Sequence, residues 1–403
     1  MKNTRYIILF ALLSILLILQ LHNFQLFPIN RGFDAPDHLD YVKYLKNYHS
    51  IPLPHEGWEL YQPPLYYLLI STISNPFLIR FFNGAVFLFF IITVFFFFKK
   101  ITKNPFLGMV GTVIISSLPV IVYSLPTISN ELFSAILISL TIMYYASFLR
   151  KLLLIDKIII GSLLGAALLS KATAFVLLFC IIIDQAIQNK SKVKIFLKNI
   201  LVIIGIAFVI AGWFYIRNII MYKNPFITSV DFPKYKIVQT PGYRDFKFFT
   251  DLSGFIKLDL FRAHHYSLLP GTYFSWFYDG HNVLTPVQPS SKAGTALVIW
   301  SIPMFIMLIL GFIKEIKAKD KSHLIILYPL ALFLSYIAYT IKLPFYSTVK
   351  GIFLISSIIP FTYLIVRFIV SLKKYYYILL IYLIVFVFLV IKNFWILKGW
   401  YNR

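Results

Sequence analysis

"IIIGSLLGAALLSKATAFVLLFCIIIDQAI" occupies residues 158–187, and the topology turns on how it is read. The run is longer than the ~20 apolar residues that cross a bilayer as one helix. Arg150 and Lys151 precede it, and the basic cluster "NKSKVKIFLK" at 189–198 follows. A single crossing would put these two clusters on opposite sides of a membrane, against the bias of Lys and Arg toward the cytoplasmic face. A break at "SKA" (170–172) puts both on one side. The sequence therefore predicts two short helices turning at Lys171, near the outer surface.

The rest of the chain agrees with a membrane setting. Its 403 residues are 59% hydrophobic, 18% aromatic and 13% charged, with a mean hydropathy of +0.80. Apolar runs of membrane-spanning length recur along it, as in an all-α polytopic membrane protein with one membrane domain over 1–403. The formal charge of +23 sits in short Lys/Arg clusters between apolar runs, the pattern of cytoplasmic loops and not of a nucleic-acid surface. Lys2 and Arg5 before the run at 7–21 place the N-terminus inside. That run is long for a signal peptide and lacks a small-x-small cleavage site, so it reads as a retained anchor. Further runs at 81–98, 106–125, 131–149, 201–217, 296–313, 324–341, 352–370 and 377–397 bring the expectation to about eleven spans. Two larger loops, 28–64 and 223–292, then face outward. They alone are rich in Asp, His, Tyr, Pro and Trp, so chemistry is expected on the extracytoplasmic side.

Walker A, dinucleotide-binding, HExxH and CxxC motifs are missing, which excludes the usual nucleotide and metal signatures. Cys180, the only cysteine, lies in an apolar run. His264 and His265 are adjacent and would project about 100° apart on a helix, a poor chelating geometry, so no metal and no cofactor is expected. "GSLLG" at 161–165 reads as a small-xxx-small helix contact. "DLSGFIKLDLFRAHHYSLL" at 251–269 suggests a helix lying on the membrane surface.

The first outer loop carries "NRGFDAPDHLDYVKYL" at 30–45, with Asp34, Asp37, Asp40 and His38 within seven positions. Loop solvation would account for such acids. The loop closes in "GWELYQPPLYYLL" at 57–69, where Pro63 and Pro64 stiffen the re-entry and Tyr61, Tyr66 and Tyr67 suit an interfacial belt.

Asp34, His38 and Tyr41 fit the D-E-x-x-H-x-x-Y pattern that follows the first span in GT-C membrane glycosyltransferases, which include protein O-mannosyltransferases and aminoarabinose transferases. "YQPPLYYLL" is similar to the stretch closing the same loop in bacterial members. "RFFNGAVFLFFIITV" from Arg80, "SNELFSAIL" with Glu131, "LGAALLSKATAFVLL" with Lys171, "GWFYIRNIIMYKNPF" with Arg217 and Asn218, and "TYFSWFYDG" at 272–280 resemble later landmarks in the same order. The resemblance covers roughly residues 1–300; Ala35 stands where the pattern has Glu.

The resemblance implies transfer of a sugar from a polyprenyl-phosphate-linked donor to a glycan, lipid or protein acceptor, at the outer face of a bacterial inner (plasma) membrane. A carboxylate must then take the acceptor proton; Asp34 is the first candidate, with Asp37 held open because of Ala35. Cations at outer helix ends would stabilise the leaving phosphate: Lys171 first, then Arg217, Arg80 and Lys350. His38, Tyr61, Gln62 and Glu131 are expected to position acceptor or substrate. For His38 a satisfied interfacial histidine, and for Glu131 a helix-capping acid preceded by Asn130 as N-cap, are the competing readings. The rivals in function are a transporter or flippase of a lipid-linked saccharide and a catalytically silent assembly partner.

Overall fold

The computed structural model describes residues 2–147, 152–235, 244–285, 292–318 and 323–401, and contains no strand among them. The first half comprises α1 (Lys2–Leu26), α2 (Ala35–Tyr48), α3 (Leu65–Ser71), α4 (Pro76–Thr102), α5 (Pro105–Ser117), α6 (Pro119–Ser124), α7 (Asn130–Ala146), α8 (Leu154–Leu168), α9 (Ala174–Gln188) and α10 (Val193–Tyr222). Four short helices follow: α11 (Phe246–Thr250), α12 (Ser253–Lys257), α13 (Ala263–Tyr266) and α14 (Leu268–Phe277). The chain ends with α15 (Lys292–Trp300), α16 (Ile302–Ile316), α17 (Leu324–Lys342), α18 (Ile358–Ile369) and α19 (Tyr376–Phe394).

Short polar residues and prolines set the helix starts. Asn75 caps α4 by accepting from the Phe77 amide at 2.9 Å, and Asn104 caps α5 through Phe106 at 3.0 Å; a proline follows each cap. Ser129, not Asn130, caps α7, accepting from the Glu131 amide at 3.1 Å. The run at 158–187 is two helices, with the break at 169–173 around Lys171.

Among the described residues six stretches are long and apolar enough to cross a membrane: Asn3–Leu26, Pro76–Thr102, Val193–Tyr222, Lys292–Ile316, Leu324–Lys342 and Tyr346–Phe394. Other runs expected to cross are interrupted. Pro119 ends α5, dividing the run at 106–125 at Leu118. The apolar helices α5, α7 and α9 hold 13, 17 and 15 residues. At 1.5 Å per residue they reach roughly 20–25 Å, short of the ~30 Å hydrocarbon core. The expected surface helix at 251–269 is instead split into turns of five and four residues, α12 and α13.

The bundle has two chemically different ends. Arg5 lies 4.1 Å over the Tyr377 ring, Phe106 stacks on Tyr376, and Lys314 donates to Ser371. These contacts gather the start of α1, the α4–α5 junction and the α16 and α18 ends, which carry Lys99, Lys100, Lys314, Lys373 and Lys374. At the other end α2, α3, the start of α7, the α8–α9 turn and the end of α10 meet. There Leu65 N donates to Leu169 O, Asn130 Nδ2 to Ser170 O, and Tyr222 bonds His55.

Close helix contact is built on glycine. A Cβ on Gly161 would lie 2.8 Å from Ile203 O, and one on Gly165 3.1 Å from Ala207 Cα, so α8 and α10 touch along the face that "GSLLG" predicts. A Cβ on Gly311 would lie 1.8 Å from Leu364 O, between α16 and α18, whereas Gly205 has nothing within 4 Å. Gly311→Ala and Gly165→Ala are therefore expected to destabilise the detergent-solubilised protein by about 1–3 kcal/mol. Gly205→Ala, which gains helix propensity in open space, should leave or raise the thermal midpoint. A thermal-unfolding series on the three variants checks the order.

Candidate functional site

Asp34 occupies a sharply turned segment. Gly32 has φ +131°, and Asp34 itself is left-handed at φ 52° before α2 begins. Arg31 fastens this turn to the distant 282–283 loop, donating from Nε to Val283 O at 3.0 Å and from Nη2 to Asn282 O at 3.1 Å. That loop is shaped by Asp279, whose buried carboxylate accepts from the amides of Val283, Leu284 and Thr285, each at 2.8 Å. The Asp34 side chain makes no capping bond to α2. It is exposed and lines a cavity of about 420 Å³, within the range of small-molecule sites.

α2 is held against α3 by stacked aromatics. Tyr41 and Tyr67 lie face to face, ring centres 3.9 Å apart and planes within 4°, and the Tyr67 hydroxyl meets His38 Nδ1 at 2.7 Å. Tyr41 donates to Gln62 O. His38 is buried and borders the cavity; burial and the charge of Lys171 lower its pKa to about 3. It is a neutral ring at physiological pH, matching the satisfied histidine while still reaching the cavity.

The α8–α9 turn supplies the opposite wall. Its carbonyls take donors from three elements: Leu168 O from the Tyr215 hydroxyl, Leu169 O from Leu65 N, and Ser170 O from Asn130 Nδ2. The turn is thereby fixed and Lys171 projects to the cavity, where it forms an ion pair with Glu131. Lys350 borders the same cavity. Its segment is pinned by His281 Nε2 on Val349 O at 2.7 Å and by Gly351 N donating to Ser275 Oγ at 2.7 Å. The Lys350 ammonium lies 4.1 Å from the Phe33 ring centre and makes no ion pair among the described residues.

The structure thus brings Asp34, His38, Tyr61, Gln62, Glu131, Lys171 and Lys350 to one cavity. Three others lie elsewhere. Arg80 is buried against α1, donating to Phe24 O at 2.9 Å beneath the rings of Phe27 and Phe77. Arg217 donates to Pro52 O and to Asn218, under Phe214. Asp37 is half-buried on α2 and does not line the cavity; burial, with Asp34 and Asp40 nearby, raises its pKa.

Sequence reasoning missed Glu59, a lone acid two residues before Tyr61. It is 6% exposed, and burial together with the charge of Asp34 pushes its pKa up to about 8. It also missed the α17 face of Leu332, Ser335, Tyr336 and Tyr339, whose i, i+3, i+4, i+7 spacing marks one helical side. Among the described residues no group of three or more His, Cys, Asp or Glu is arranged to hold a metal ion. No family model, curated protein or solved structure matches this chain.

His38 gives a pH dependence of known sign. Its folded pKa lies below the unfolded value of 6.5, so an unfolded chain takes up the proton first and stability falls as pH drops from about 6.5 toward 3. His264 and His281, pushed to about 2 and about 3, act in the same direction. The thermal midpoint should therefore fall on acidification, and less steeply in His38→Gln, whose amide does not take the proton.

Proposed function

We propose that the protein is an integral-membrane glycosyltransferase. It would transfer a sugar from a polyprenyl-phosphate donor to a hydroxyl-bearing glycan, lipid or protein acceptor. One observation carries this reading: a single cavity at the end of an apolar bundle is bordered by the Asp34 carboxylate, free of its helix, and by the Lys350 ammonium, free of any ion pair among the described residues. A lipid phosphate needs a cation at the membrane edge, and an attacking hydroxyl needs a base within reach. The lysine-rich helix ends lie at the opposite end of the bundle. By the positive-inside rule that supports an extracytoplasmic cavity in a plasma membrane.

In this scheme the acceptor oxygen attacks the anomeric carbon while its proton passes to Asp34. The bond between the anomeric carbon and the phosphate oxygen breaks, and the electron pair leaves with the polyprenyl phosphate. Lys350 receives the growing negative charge first. Lys171, already neutralised by Glu131, contributes as one member of a pair. His38, Tyr61 and Gln62 border the space where the reacting groups are aligned. Asp37 has no direct route to the acceptor from its place outside the cavity lining.

A carrier for lipid-linked saccharides is the second reading, favoured by one feature. Asp184, fully buried on α9, accepts from Tyr145 at 2.6 Å and lies 3.3 Å from His323 on the N-terminal side of α17, at the far end of helices that also border the cavity. A buried acid beside a histidine near the end of a membrane helix is a feature of proton-coupled carriers.

Transfer of labelled sugar from a panel of polyprenyl-phosphate donors in membranes separates the two. Asp34→Asn should lower turnover by roughly 10²–10⁴-fold, and Lys350→Met by roughly 10²–10³-fold, with Asp37→Asn close to wild type. Donor-dependent product that survives Asp34→Asn removes the assigned base. Sugar movement across the membrane without transfer, lost in Asp184→Asn, favours the carrier.

A further inference from the structure

Glu59 has no part in the scheme above, yet it borders the cavity, and its surroundings are unusual for an acid. Its hydrogen-bond partner is the Gln62 amide, Nε2 to Oε2 at 2.8 Å. Among the described residues no cation is paired with it. The charges acting on it are Asp34 and Glu131, which oppose ionisation, and Lys171, paired with Glu131, and Lys350, which favour it. Burial without a paired cation, with Asp34 and Glu131 nearby, outweighs the Gln62 donation and the lysine charges and holds the carboxyl in its protonated form, in keeping with the rise of its pKa to about 8.

Glu59 also belongs to a chain of hydrogen bonds along one wall. Gln62 Nε2 reaches the Tyr61 hydroxyl at 3.0 Å as well as Glu59, and Gln62 Oε1 accepts from Asn130 Nδ2 at 3.2 Å. Asn130 Nδ2 also donates to Ser170 O at 2.9 Å. The Asn130 side chain is 0% exposed within the protein and its Oδ1 has no donor. A buried acceptor left open costs stability unless a ligand satisfies it. The wall therefore carries a carboxylic O–H at one end and, at the other, a buried amide oxygen without a donor that a ligand hydroxyl reaches once the Asn130 side chain shifts, with no net charge between them. Hydroxyl groups both give and accept hydrogen bonds and match this pattern.

We infer that Glu59, Gln62 and Asn130 form the sugar-reading wall of the cavity, with Glu59 acting as an uncharged carboxylic acid that hydrogen-bonds ring hydroxyls, and that the sugar carried there is a neutral, polyhydroxylated ring. This narrows the substrate of the proposed transferase and rests on that reading. A charged substituent of either sign would lose its hydration against the Glu59–Gln62–Asn130 wall, which carries no charge to pair with it.

The test uses short-chain polyprenyl-phosphate donors bearing a neutral hexose, a 4-amino-4-deoxypentose or a uronic acid, with full-length wild type, Glu59→Ala and Glu59→Gln. The neutral hexose should be the preferred donor. Glu59→Ala should lose roughly 10–100-fold in kcat/KM, the cost of one or two buried hydrogen bonds left unmade, and Glu59→Gln, of the same shape and uncharged, should restore most of that loss. Glu59→Gln as impaired as Glu59→Ala, or preference for the amino sugar, overturns the inference.

A second readout needs no turnover. The unfolded chain releases the Glu59 proton near pH 4.5 and the folded chain near 8, so the Glu59 contribution to the thermal midpoint should fall as pH rises across that window, opposing the histidine trend below 6.5. Glu59→Gln should remove that part of the slope. Equal slopes in the two proteins overturn the uncharged state. If the slopes differ as expected while none of the three donors is used, the transferase reading fails and takes the sugar assignment with it.

Discussion

A polar turn set between two apolar helices has to find donors for the carbonyls that its helix end leaves open. In this protein the α8–α9 turn finds them in three places: the Tyr215 hydroxyl of α10, the Leu65 amide at the close of the first loop, and the Asn130 side chain at the start of α7. Meeting that one requirement draws a long helix, a loop and a second helix start to the same point. The cavity is the space enclosed where they converge. Lys171 and Glu131 lie beside the turn as a pair, and Gln62 is linked to it through Asn130.

The distribution of charge around the cavity follows from the same arrangement. Lys171 is the cation that sequence favours most, since it interrupts an apolar run, but the turn that holds it also delivers Glu131 as its counter-ion. Lys350 comes from a separate segment, pinned by His281 and Ser275, and reaches the cavity against the Phe33 ring with no carboxylate in ion-pair contact among the described residues. Of the two lysines, Lys350 is the one with charge to spare for an incoming anion. Phe33 immediately precedes Asp34, so the contact that steadies Lys350 also ties it to the acid. The Arg31 clamp on the 282–283 loop then holds base and cation in one frame.

Much of this was legible in the sequence, for identifiable reasons. The break at Lys171 followed from the charges flanking residues 158–187, because those clusters report on topology whatever the packing. Asp34 and His38 stood out as polar residues crowded into a greasy chain. Arg80 and Arg217 ranked behind Lys171 in sequence but shared its pattern of a cation at a helix end. What separates them is the destination of the side chain, and both guanidinium groups are taken up by backbone carbonyls of Phe24 and Pro52. Glu59 went unnoticed because a lone acid among aromatics carries no pattern; its meaning comes from the Gln62 amide and the neighbouring charge of Asp34. Hydropathy alone leaves the number of full-length crossings open, since it registers apolar content and not the interruption at Pro119.

In the proposed transferase the cavity bounded by Asp34 and Lys350 receives a lipid phosphate. Photocrosslinking with a polyprenyl monophosphate carrying a diazirine on its first isoprene unit, read by peptide mass spectrometry, reports where that phosphate lodges. Adducts are expected on cavity-lining residues from α17 and the segment that follows it, Leu343, Phe345 and Phe353 among them, competed by unlabelled polyprenyl phosphate and weakened in Lys350→Met. Adducts confined to the outer faces of the bundle, or labelling of those residues unchanged by the substitution, would contradict that placement.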